Sequence, residues 1–256
     1  ETAKILNPSR SVLIPDTAAG CSLADSITAE QVRAWKSEYP GAAVVSYVNT
    51  SAEVKAESDY CVTSGNAVDV VMSIPSYQDI LFCPDWFLGA HLQEVTGRQL
   101  HLWLGECHVH AGIRPDEIEA RRAADPDADL LIHPECGCTA QVQWARSVGE
   151  IDERRSYVLS TEKMVQHARQ SEKDHFLVAT ETGILHRLRK EAPDKRFEAA
   201  DPEAICGYMK MITPLKLRNA LRELRFEVQV ETNIATRARV AIDRMLAVPA
   251  SRPSWE

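Results

Sequence analysis

The chain has 256 residues, of which 26% are charged and 45% hydrophobic, and it carries a formal net charge of −8. No apolar run approaches the roughly 18 residues of a membrane span, and an acidic balance counts against nucleic acid, whose binding needs a basic face. Seven cysteines, odd in number and scattered, favour a reducing, cytoplasmic setting and argue against a disulfide framework.

In chain order, SVLIPDTAAGC (11–21) is an apolar run and loop ending at Cys21. AEQVRAWKSEY (29–39) reads as a helix. AAVVSYV (42–48) reads as a strand, whose period-two spacing puts Tyr47 and Asn49 on one face of its end. The turn Thr63-Ser64-Gly65-Asn66 opens the helix GNAVDVVMSI. DILF (79–82) and LHLWL (100–104) are further strands, the second leading to Cys107 and His110. PDEIEARRAA (115–124) is helical. DLLIH (129–133) ends at Pro134, which leaves His133 and Glu135 at the strand mouth. RSYVLS (155–160) runs into a helix through Ser160 and Thr161, HFLVAT (175–180) precedes the helix GILHRLRKEA, and RFEAADPEAIC (196–206) ends at Cys206. The remainder reads as helix, strand, helix, followed by a polar tail.

Nearly continuous Val/Ile/Leu runs alternating with helices predict parallel α/β layers with helices on both sides. Sites in such sheets lie beyond the strand C-termini, where Tyr47, Asn49, His133, Glu135 and all three terminal cysteines fall. The order of elements repeats, so that Cys21, Cys107 and Cys206 end three equivalent units. The expected fold is a pseudo-threefold arrangement of three small α/β domains. Residues 1–26 with 211–250 form a partial first domain, 27–112 the second and 113–210 the third, with 251–256 as a tail. The first two or three strands of the first unit are expected to lie outside this sequence; a short N-terminal arm is the alternative.

Three thiolates from equivalent loops can hold an iron–sulfur cube and leave its fourth iron open, as substrate chemistry needs. Each cysteine alone is equally a small buried hydrophobe, and Cys61 and Cys83, inside strands, fit that description. Cys136 and Cys138 compete for a ligand role. His133 and Glu135 can work as an acid–base pair. Ser64 and Thr161, at helix openings, suit a phosphate or carboxylate, although plain capping is the commoner use of such hydroxyls. His110 is either packing or a hydrogen-bond donor near Cys107. Three further readings stay open: a non-catalytic iron–sulfur sensor, a zinc hydrolase using His133, Glu135 and Cys138, and an inactive fragment. No Gly-rich dinucleotide fingerprint, P-loop, HExxH or G-x-S-x-G motif is present.

Seven stretches in order, GCSLAD (20–25), YVN (47–49), CVTSGNAV (61–68), GECHVH (105–110), HPECG (133–137), VATETGILHRL (178–188) and CGYMKMI (206–212), resemble the quinolinate synthase family. The resemblance runs to about residue 248. It implies three α/β domains around a [4Fe–4S] cluster with one open iron. It also implies condensation of iminoaspartate with dihydroxyacetone phosphate to quinolinate, a precursor of NAD, with loss of phosphate and water. Cys21, Cys107 and Cys206 become the cluster ligands, and Tyr47, His133 and Glu135 the catalytic residues. Asn49, His110, Ser64 and Thr161 bind substrate, and the aspartate-oxidising enzyme upstream becomes a partner. Two departures stand against this: the family's N-terminal strand, with its His, Tyr and Ser, is not in the sequence, and Cys138 adds a thiol to the shorter HPEC core.

Overall fold

The computed structural model describes residues 1–139 and 155–249, so the expected tail 251–256 lies outside the described residues. The chain divides into two compact units. The first holds residues 1–86, 92–105 and the described residues from Cys206 onward; the second holds 87–91, 106–139 and 155–205.

The first unit is built on a four-stranded parallel sheet of β1 (Ala43–Tyr47), β2 (Tyr60–Val62), β3 (Ile80–Cys83) and β4 (His101–Leu102), in the order β2-β1-β3-β4. Val45 pairs with Tyr60, Val44 with Leu81, and Leu81 with His101. In chain order α1 (Thr2–Leu6) is followed by α2 (Ala29–Glu38), which Thr28 and Gln31 start with a reciprocal capping box. The strands are joined by α3 (Ala52–Glu57), α4 (Ala67–Ser73) and α5 (Trp86–Thr96). Both faces of the sheet are buried, as its unbroken apolar strands require. Ile27, Val32, Val44, Val54, Leu81 and Cys83 fill one core, while Ala52 and Cys61 belong to another with Ala238, Ala241, Ile242 and Met245. Gly105, after β4, lies against Ser26 and the Pro84 carbonyl so closely that a Cβ would stand 2.5 Å from that oxygen. Only glycine admits this approach.

The second unit repeats the topology. After α6 (His108–Gly112) and α7 (Pro115–Ala124) come β5 (Asp129–Ile132), β6 (Ser156–Val158), α8 (Thr161–Gln170), β7 (His175–Ala179), α9 (Ile184–Glu191) and β8 (Arg196–Ala199). The four strands are parallel, in the order β6-β5-β7-β8. In both sheets the second strand to enter therefore flanks the first, with the third and fourth on its other side. The core includes Leu131, Met164, Phe176, Val178, Leu188 and Phe197.

The expected α/β class and parallel sheets are present, and the described residues form two such sheets. Of the helix, strand and helix read after Cys206, the two helices form and the strand joins neither described sheet. α10 (Gly207–Lys210) and α11 (Pro214–Glu223) lead to residues 226–228, which pair with 12–14 through the antiparallel bridge Leu13–Glu227 and the bonds Ile14 N to Phe226 O (3.1 Å) and Val228 N to Val12 O (2.8 Å). α12 (Thr232–Ala247) then lays Ala238, Ala241 and Ile242 over α3 instead. Its apolar stripe already has a partner there, so it contributes to the core of the first sheet.

Candidate functional site

In the second unit, Cys107 is the N-cap of α6, and its carbonyl accepts from Ala111 N at 2.8 Å. One turn on, His110 lies on the same side as Cys107. Its Nδ1 stands 3.4 Å from Glu135 Oε2 and its Nε2 is 2.8 Å from Thr180 Oγ1. Its ring stacks on that of His133, centroids 4.7 Å apart and planes at 12°. β5 delivers His133, whose amide extends the ladder to Ala179 O at 3.1 Å, and Pro134 then turns the chain so that Glu135 faces His110. Gly137 N closes this loop by donating to the His110 carbonyl at 3.2 Å.

Cys107, His110 and Glu135 offer ligand atoms that all lie within 4.8 Å of one another. Burial works against ionising Cys107, but the hydrogen bond and charge of His110 outweigh it and lower the thiol's pKa. Burial likewise resists a charge on His110, but Cys107 and Glu135 hold its proton and raise its pKa. The neighbouring ring behaves oppositely: burial pushes His133 down to about 4, so it is neutral near pH 7.

In the first unit, Cys21 accepts from Asn49 Nδ2 at 3.6 Å, and Tyr47 OH stands 3.5 Å from Ser64 Oγ. Cys21 precedes a short 3₁₀ turn, Ala24–Ser26, and its carbonyl accepts from Asp25 N at 3.0 Å. Cys206 caps α10 and accepts from Lys210 N at 3.1 Å. All three cysteines thus begin the same i to i+4 turn. They are thiols of intermediate exposure, whereas Cys61 and Cys83 are buried. Burial raises both of those thiols, Cys83 to about 12.

The helix openings separate. Ser160 is a plain N-cap, accepting from Lys163 N at 3.4 Å, and Thr161 is exposed beside it. At α4 the cap position is Asn66, whose Oδ1 accepts from Thr63 N and Thr63 Oγ1, so Ser64 does not cap.

Two expectations are corrected. Cys136 and Cys138 are joined in a disulfide with Cα atoms 5.2 Å apart. Cysteine counting speaks to frameworks that staple distant elements, and it misses a pair brought together by a single tight loop. The zinc site imagined from His133, Glu135 and Cys138 is therefore not available: the Cys138 sulfur is bonded to Cys136, and Cys107 and His110 accompany Glu135 instead. Sequence reasoning missed Thr180. Its position at the C-terminal end of β7, where sites in such sheets lie, was the signal that could have found it.

The family model "Quinolinate synthetase A protein" matches residues 1–247. A quinolinate synthase from Mycobacterium sp. (strain KMS) is 55% identical over 249 residues, covering 97% of this chain and 74% of that protein. Those from Mycobacterium tuberculosis (strain ATCC 25618 / H37Rv) and Mycobacterium leprae (strain Br4923) are 53% identical over 249 residues, covering 97% of this chain and 71% of each.

Proposed function

The chain belongs to the quinolinate synthetase A family, and on that premise we propose that it is a quinolinate synthase of NAD biosynthesis, condensing iminoaspartate with dihydroxyacetone phosphate in the cytoplasm. The observation that carries this reading is the match over residues 1–247, within which Cys107, His110 and Glu135 form a compact group. The three-domain arrangement, with 1–26 and 211–250 as part of the first domain, and a working link to the aspartate-oxidising enzyme upstream belong to the same reading.

The donor set suits a [4Fe–4S] cluster. Cys21, Cys107 and Cys206 are half-buried thiols that each begin the same kind of local turn, and Cys107 has its thiolate favoured. Their assignment as ligands rests on that chemistry and that shared turn. When bound, the cluster supplies a Lewis-acidic iron with an open position. The residues do the rest. Glu135, beside the proton-retaining His110, exchanges a proton with substrate in the final dehydration. Tyr47, steadied by Ser64, serves the isomerisation of the condensed triose. Neutral His133 offers a hydrogen bond without a competing charge, Asn49 orients a carbonyl or carboxylate, and His110, Ser64 and Thr161 hold the anionic groups of the substrates.

Anaerobic reconstitution with iron and sulfide, followed by an assay for quinolinate from the two substrates, tests the proposal. Four irons and four sulfides per chain with quinolinate formed are expected. A second reading has one observation in its favour: a thiolate, an imidazole and a carboxylate within 4.8 Å suit a single zinc ion. One zinc per chain with no sulfide and no quinolinate is the result that selects it.

A further inference from the structure

We propose that Lys55 is a positioning residue for this reaction, its buried Nζ holding in place the turn that presents Tyr47 and Asn49. The inference rests on the function proposed above. Lys55 lies in the six-residue α3 and is only 1% exposed. Burying an amine costs several kcal/mol unless it is well partnered, and an apolar side chain would fill the same space without that cost. The partner it finds is specific. Its Nζ donates to the carbonyl of Thr50, itself 1% exposed. Thr50 in turn donates twice to the Tyr47 carbonyl, from its amide at 3.1 Å and its Oγ1 at 2.9 Å. Val48 N is held by Val62 O at 2.8 Å. The turn 47–50 is thus tied to β2 through Val48 N, to Thr2 Oγ1 through the Val48 carbonyl at 3.3 Å and to Lys55 through the Thr50 carbonyl, and the two side chains it presents reach Ser64 and Cys21.

Burial lowers the Lys55 pKa, while Cys61, Glu1 and Glu53 oppose that change. Glu1 also accepts from Ala52 N at 2.7 Å, at the opening of α3. The amine is therefore set among acidic groups around one strand end, where an aliphatic chain would leave the Thr50 carbonyl unsatisfied.

Lys55→Met keeps the stem and removes the donor, and the reconstituted protein is the material to test. The parent protein's quinolinate assay comes first, since a parent that makes none sinks the proposed function rather than the role of Lys55. With an active parent, Lys55→Met should keep its iron and sulfide and lose about 10²-fold in kcat, the scale of a misplaced catalytic group. In an Asn49→Ala background the same substitution should lose only about threefold, because both changes act through one turn. Parent-level kcat, or an equal loss in both backgrounds, overturns the proposal. Thr50→Val, which cuts the Oγ1 bond to Tyr47 with little change of shape, decides the matter if Lys55→Met does not fold: it should also lower kcat, and an unchanged kcat overturns the proposal. A readout independent of turnover is alkylation of Cys21 by iodoacetamide in the cluster-free chain. Loosening Asn49 should speed it several-fold in Lys55→Met while Cys107 is unaffected, and an unchanged Cys21 rate counts against the role.

Discussion

Cys107 and Cys206 adopt the same backbone conformation, φ −79° and ψ 115° in one and φ −83° and ψ 107° in the other, each capping a short helix. The likeness is local, and Cys21 shares its i to i+4 bond. It separates three cysteines from the two packed in strands. Changing Cys21, Cys107 or Cys206 singly to Ser should abolish iron retention after reconstitution. Cys61→Ala and Cys83→Ala should retain it, because Cys83, raised to about 12, offers no thiolate near neutral pH. Iron and sulfide counts per chain check this, and iron lost on changing Cys83 but kept on changing Cys206 would reverse the assignment.

The α/β class and the repeat were legible because buried parallel strands leave unbroken runs such as AVVSY and HFLVA, and helices interrupt them at regular distance. The places of Cys107 and Cys206 were legible because each follows the last strand of a described sheet, whereas Cys21 precedes the first strand. Lys55 was not legible. In sequence it is one lysine in a short polar helix, and nothing in that spacing records its burial or its bond to the Thr50 carbonyl. Thr180 stood at a legible strand end, but its bond to His110 did not show: the two are 70 residues apart, and no local spacing records a tertiary hydrogen bond. The Cys136–Cys138 bond escaped because a count of cysteines carries no loop geometry.

Thr180 fixes one end of the His110 ring while Glu135 fixes the other. Thr180→Val preserves shape and leaves a buried ring nitrogen without that hydroxyl. The expected cost is about 1–3 kcal/mol of stability, with kcat falling as the ring loses its orientation. Denaturant titration and steady-state rates report the two effects. Full activity at reduced stability would mean that Thr180 serves packing alone.

Ser160 and Thr161 adjoin in sequence and differ in structure, and substitution should separate them. Ser160→Ala removes a cap from α8 and should cost about 1 kcal/mol without raising KM. Thr161→Val, exposed at the first position of the same helix, should leave the melting temperature alone and raise KM for dihydroxyacetone phosphate or iminoaspartate. An unchanged KM would remove Thr161 from the substrate site.

The buried imidazole of His133 makes acid stability a readout of the site. Its folded pKa is about 4 against a usual value near 6.5. Between those values the unfolded chain binds a proton that the folded chain refuses, so stability falls as pH drops through that window and the effect is complete below about 4. At pH 4.5 the single group should have withdrawn roughly 2–3 kcal/mol relative to pH 7.5. His110 works in the other direction: its raised pKa contributes stability that is present below about 6.5 and lost as pH rises toward its folded value. That contribution remains when His133 alone is changed, so the difference between parent and His133→Gln isolates the buried ring. Urea unfolding of the cluster-free chains at the two pH values should show a smaller acid loss in His133→Gln by that amount. Parallel losses in both chains would place His133 in contact with solvent rather than beneath His110.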